Sequence, residues 1–83
     1  MGKFEGKTVI VTGGNTGIGK EICLKYGLKE ANVVVNYIFN EAAADDLVSH
    51  IENLGGKAIK VYGDVTKLDD CKNIVEAAVK QFG

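Results

Sequence analysis

The sequence predicts an α/β protein built on a parallel sheet, and two observations carry that expectation. Short β-branched runs alternate with longer segments of helical apolar spacing, in the order β-α-β-α-β-α, joined by short connections without proline. The runs do not alternate polar with apolar, as expected of strands covered by helices on both faces. Strand–helix–strand units of this kind close with right-handed crossovers.

Thr8-Val9-Ile10-Val11-Thr12 reads as the first strand, buried on both faces and closed by Gly13-Gly14. From Gly17 to about Lys29 the pattern turns helical: Ile18, Ile22 and Tyr26 recur every four residues, with Cys23 beside them. Asn32 leads into a second strand, Val33-Val34-Val35-Asn36-Tyr37. Asn40 is the expected N-cap of a helix from Glu41 to Leu54. Its stripe is Ala44, Leu47, Val48, Ile51 and Leu54, and Gly55-Gly56 is its stop. Ala58-Ile59-Lys60-Val61-Tyr62 forms the third strand. Thr66, with Asp69 three residues on, resembles a capping box for a third helix facing inward through Ile74, Val75, Ala78, Val79 and Phe82. No linker, repeat or low-complexity tract divides residues 1–83, so a single domain or half-domain is expected.

Composition narrows the function. The 83 residues are 46% apolar and 25% charged, with 10 basic and 11 acidic residues and a net charge of −1. A chain of this length buries only a little over ~60% of its unfolded surface, so its core is marginal. No basic excess points to nucleic acid or to a membrane surface. No apolar run reaches the ~20 residues of a membrane span. The N-terminus has no signal-peptide apolar region, and Gly6 stands where a myristoylation signal wants Ser or Thr. Cys23 and Cys71 lack both metal-ligand spacing and the density of a disulfide scaffold, so they read as small apolar residues. No metal site is expected, and a cytoplasmic location follows.

The chemically informative stretch is Thr12-Gly13-Gly14-Asn15-Thr16-Gly17-Ile18-Gly19, where strand 1 hands over to helix 1. Each of three glycines has a physical task. Gly13 permits a tight turn, Gly17 lets backbone approach a pyrophosphate, and Gly19 lets the helix pack close to the strand. The helix then aims free N–H groups and the positive end of its dipole at the phosphates. Asn36 ends strand 2, 17 residues beyond Gly19, near the place of a ribose-binding side chain.

These residues resemble the Thr-Gly-x-x-x-Gly-x-Gly cofactor motif of the short-chain dehydrogenase/reductase family. Gly63-Asp64-Val65-Thr66 is similar to that family's Asp-Val segment after strand 3, and Gly55-Gly56-Lys57-Ala58 and Gln81-Phe82-Gly83 also match its wording. Val33-Val34-Val35-Asn36-Tyr37 is most similar to bacterial glucose 1-dehydrogenases and 3-oxoacyl-carrier-protein reductases. The resemblance implies half of a Rossmann-type doubly wound sheet, with strands in the order 3-2-1. It implies a dinucleotide held by Gly13, Asn15, Thr16, Gly17, Ile18 and Gly19. Asp64 would accept from the adenine amino group, and the Val65 N–H would face the ring. Asn36 is neutral, Ile38 stands where close NADP users carry a base, and positions 37 to 44 contain none. The implied cofactor is NADP or NAD with modest discrimination, NADP slightly ahead.

The implied activity is hydride transfer to or from a sugar, alcohol or oxoacyl substrate. The implied catalytic residues are a serine, a tyrosine with a lysine four positions later, and an asparagine, all following strands 4 and 5. Tyr26, Tyr37 and Tyr62 are followed at that spacing by Glu30, Glu41 and Thr66, so no catalytic residue is expected here. Ser49 and His50 read as helix-surface residues far from the loop. The alternative is a self-contained, non-catalytic nucleotide-binding or assembly module. The resemblance implies strand 1 in the middle of the sheet, between strands 2 and 4; with strand 4 missing from these residues, Thr8–Thr12 is left at an edge, which predicts a homo-oligomer paired through that strand.

Overall fold

The computed structural model describes residues 4–83, so the reading of Met1-Gly2 lies outside it. Six elements alternate as expected: β1 (Thr8–Val11), α1 (Gly17–Leu28), β2 (Asn32–Tyr37), α2 (Glu41–Asn53), β3 (Lys57–Tyr62) and α3 (Leu68–Phe82). The three strands are parallel in the order β1-β2-β3, with Val9 beside Val33 and Val33 beside Ala58. This is the expected half of a doubly wound sheet.

β2 is the central strand, and its composition explains why. Val33, Val34 and Val35 are wholly buried, each contributing roughly 1.5–3 kcal/mol of apolar transfer. Side chains alternate across the sheet. Val33, Val35 and Tyr37 join Val11, Cys23, Ala44, Leu47 and Ile51 under α1 and α2, and Val34 meets Ile74 and Ala78 under α3. The α2 stripe is as expected, with Asn40 Oδ1 accepting from the Ala43 N–H at 3.1 Å as a true N-cap.

Four expectations change. β1 is not buried on both faces: Thr8 and Ile10 are exposed and only Val11 is buried, since among the described residues β1 has a strand neighbour on one side only. The inner face of α1 is not the stripe Ile18, Ile22, Tyr26. Cys23 and Gly27 are buried, and Ile18 is 80% exposed. Periodicity selects bulky residues, but this helix packs closely through small ones. On α3, Ile74 and Ala78 face inward and Val75 and Val79 stay exposed on the flank beside β1. The capping box is absent. α3 begins at Leu68 with Lys67 as N-cap, and Thr66 instead donates from Oγ1 to Asp64 Oδ1 at 2.6 Å.

The closest backbone approach lies at Gly19. A Cβ there would overlap the carbonyl oxygen of Gly13 and sit 3.0 Å from Gly14 Cα. No flexible side chain can yield, so the loop itself would have to move. Gly19→Ala is expected to lower stability by about 1–3 kcal/mol, read as a reduced urea midpoint. An unchanged midpoint would show that the loop does not depend on this contact.

Candidate functional site

The site begins where β1 ends. Past Thr12 the chain turns at Gly13 (φ +61) and again at Gly17 (φ +47), a region of backbone space that disfavours side chains. A Cβ built on either would meet nothing within 4 Å, so both glycines border open space. The loop between them is held from beneath. The Gly14 N–H donates to the Asn36 carbonyl at 3.0 Å. Asn15, almost fully buried, donates from Nδ2 to the carbonyls of Phe39 (2.8 Å) and Asn40 (3.0 Å).

The N-terminus of α1 is left unmatched. Thr16 is extended and its side chain makes no cap, and the first turn carries no acid. The first closing bond runs from the Lys20 N–H to the Thr16 carbonyl, so the N–H groups of Gly17, Ile18 and Gly19 have no backbone acceptor among the described residues. Unpaired donors at the positive end of a helix dipole suit an anion.

Beside this terminus lies a cleft of about 330 Å³ at the carboxyl ends of the strands. Thr12, Gly13, Asn15 and Thr16 form one wall, Ile38 and Phe39 the other, with Asn36 and Val65 completing it. Of the residues singled out from sequence, Gly13, Asn15, Thr16, Asn36 and Val65 are thus brought together. Gly17 and Ile18 open the adjoining helix, and Gly19 packs inward on Gly13. Asp64 stands behind Val65. Its Oδ1 accepts from the Thr66 N–H (2.9 Å) and hydroxyl (2.6 Å), and its own N–H donates to Asp70 Oδ2 at 2.8 Å. The Thr66 bonds hold the Asp64 carboxyl below its ordinary range.

Asn36 does more than end a strand. It is 2% exposed, and its Nδ2 donates to the carbonyls of Val61 (3.2 Å) and Gly63 (3.0 Å), tying β3 to β2 just ahead of Asp64-Val65. The residue missed from sequence is Phe39, 80% exposed on the rim. An aromatic side chain just before an N-cap was the available signal.

No charged side chain lines the cleft. Lys60, the nearby base on β3, is bound to Glu41 (2.7 Å) and Asp45 (2.6 Å), which raise its pKa. Burial and the neighbouring Glu41 carboxylate raise the pKa of the Tyr37 hydroxyl. His50 is not far from the loop as expected: it shares a recess of about 120 Å³ with Asn15, Lys20 and Asp46, whereas Ser49 is simply exposed. Burial pushes the Cys23 thiol up to about 11, so it is no nucleophile. Among the described residues no acid, His or Cys cluster could hold a metal, and no helix is long and apolar enough to cross a membrane.

A family profile described as short chain dehydrogenase matches residues 7–83. The chain belongs to that family. It is 42% identical over 78 residues to glucose 1-dehydrogenase 2 of Bacillus subtilis, covering 94% of this chain and 30% of that protein. It is 41% identical over 83 residues to L-rhamnose 1-dehydrogenase (NAD(P)(+)) of Sphingomonas sp., covering all of this chain and 33% of that one. Among solved structures, a dehydrogenase/reductase from Sinorhizobium meliloti superposes with a TM-score of 0.91 at 32% identity, over 96% of this chain and 32% of its own. Hydroxysteroid dehydrogenase from Escherichia coli gives 0.88 at 36% identity, over 96% and 34%. The chain spans about a third of the length of the relatives it matches.

The Asp64 turn has a testable pH signature. Its lowered pKa means that the Thr66 bonds stabilise the fold above the ordinary carboxylate range. That contribution is lost as pH falls through the folded value. The thermal stability gap between the native chain and Asp64→Asn is therefore expected to narrow from pH 7 to about pH 3. A gap constant across that range would show that the Asp64 charge does not hold the turn.

Proposed function

We propose that this chain is the cofactor-binding part of an NAD(P)-dependent oxidoreductase, and that the cleft takes the adenosine-diphosphate half of the dinucleotide. The observation carrying the reading is the uncapped N-terminus of α1 facing open space at Gly13 and Gly17. The residues present fit the group. The N–H groups of Gly17, Ile18 and Gly19 would hold the pyrophosphate, with Gly13 and Thr16 completing the cradle. Asp64 would accept from the adenine amino group, with the Val65 N–H toward the ring. Asn15 and Asn36 form walls of the cleft, and their buried amides hold the Phe39–Asn40 segment and the Gly63–Val65 turn in place around it.

When bound, the nicotinamide supplies or accepts a hydride, and the substrate class we assign is a sugar, alcohol or oxoacyl carbonyl. The uncharged cleft neither repels nor pairs a 2′-phosphate, which supports use of NADP or NAD with modest discrimination. The two unpaired thiols suit a cytoplasmic setting.

Two outcomes are expected. Calorimetry should show NADP and NAD binding at millimolar to high micromolar dissociation constants, about −4 to −6 kcal/mol. Gly17→Val should abolish this, by placing a branched side chain at a left-handed position facing the pyrophosphate. Unchanged affinity in the folded variant would sink the phosphate-cradle assignment. The 83-residue chain should also give no NAD(P)H turnover on sugars or oxoacyl substrates, and turnover above a heat-treated control would refute that.

A further inference from the structure

Phe39 has a fixed backbone and a bare ring. Its carbonyl accepts the Asn15 amide at 2.8 Å, and Asn40 after it turns left-handed (φ +62) to cap α2. The ring itself is almost wholly exposed on the rim of the cleft. Among the described residues it joins neither apolar core and pairs with no other aromatic ring. Two more exposed apolar side chains line the same cleft, Ile38 beside it and Val65 from the separate loop after β3. This bareness does not arise from the open edge of the sheet. Phe39 follows β2, which has β1 on one side and β3 on the other. A strand added past β1 would lie two strand spacings, ~10 Å, from β2.

We propose that Phe39 is the platform on which the adenine ring of the dinucleotide stacks, with Ile38 and Val65 packing about it. The proposal rests on the cofactor reading above and adds to it a contact made through a side chain. A flat ring with apolar faces suits three apolar side chains around a cleft that no charged side chain lines. Hydrogen-bonding side chains are poorly placed to supply that contact, because the Asn15 and Asn36 amides already donate into the protein. Stacking asks for no donor or acceptor. The pinned backbone keeps the ordering cost low, since binding fixes only the side-chain torsions of Phe39. The face of the adenine ring is common to ADP, NAD and NADP, so the contact serves all three and is indifferent to a 2′-phosphate.

The chain contains no tryptophan, so Phe39→Trp sets a single indole on the rim as a reporter. ADP is expected to quench its emission on binding, with an affinity no weaker than that of the native chain. By calorimetry, Phe39→Ala should weaken ADP, NAD and NADP alike by about tenfold, the contribution of one stacked base. Phe39→Leu should recover only part of that loss. Because the ring joins neither core, the variants should keep the native circular dichroism.

The outcomes separate this proposal from the cofactor reading. If ADP binds the native chain and Gly17→Val abolishes that binding, while Phe39→Ala leaves it unchanged, the stacking assignment is overturned and the phosphate cradle stands. An indole that stays unquenched in a variant that binds ADP overturns the assignment as well. If ADP fails to bind the native chain, both readings fall.

Discussion

Close approach between α1 and the end of β1 organises this molecule. Gly19 touches the Gly13–Gly14 backbone, and Gly14 leaves room for the Cys23 thiol, so helix and loop meet without intervening side chains. Gly27 extends the same thin face to Ile51 of α2. Such contact brings the helix N-terminus beside the strand end, where unpaired N–H groups and open space coincide. A bulkier inner face would lift α1 from the sheet and separate the donors from the cleft they border.

Around that contact, two buried asparagines fix the remaining walls. Asn15 reaches from the loop to the Phe39 and Asn40 carbonyls, and Asn36 reaches from β2 to the carbonyls of Val61 and Gly63. Each buried amide donates to two backbone carbonyls, and leaving such a buried donor unmet costs about 1–3 kcal/mol. The cleft is therefore shaped by side chains whose hydrogen bonds run mainly into the protein. Its inner surface is backbone and uncharged side chain.

The sheet's asymmetry follows from the same sequence economy. β2 is buried throughout because α1 and α2 cover one face and α3 the other. β1, also rich in β-branched residues, is half-bare because among the described residues no strand pairs on its other side. A strand's composition states how much cover it wants. Position in the sheet decides how much it receives.

The alternation of elements, the parallel sheet, the Asn40 cap, the α2 stripe and the glycine loop were legible in the sequence, because each is a local pattern of a few residues with one physical cause. The inner face of α1 was legible only at Gly19, the glycine expected to let the helix pack close to the strand. Cys23 and Gly27 are too small to register as an apolar stripe, and their value exists only against the neighbours they let approach. The same holds for Asn36, whose type suggested a ligand contact and whose amide spans to a strand 25 residues later in the chain. Thr66 and Asp64 likewise chose each other over a helix cap, a competition between two local hydrogen bonds that spacing alone leaves undecided. Sequence by itself determined which segments fold and where the glycine loop hands over to the first helix. Tertiary structure decided which faces are covered and which polar groups are already engaged, because burial and hydrogen-bond pairing belong to neighbours in space.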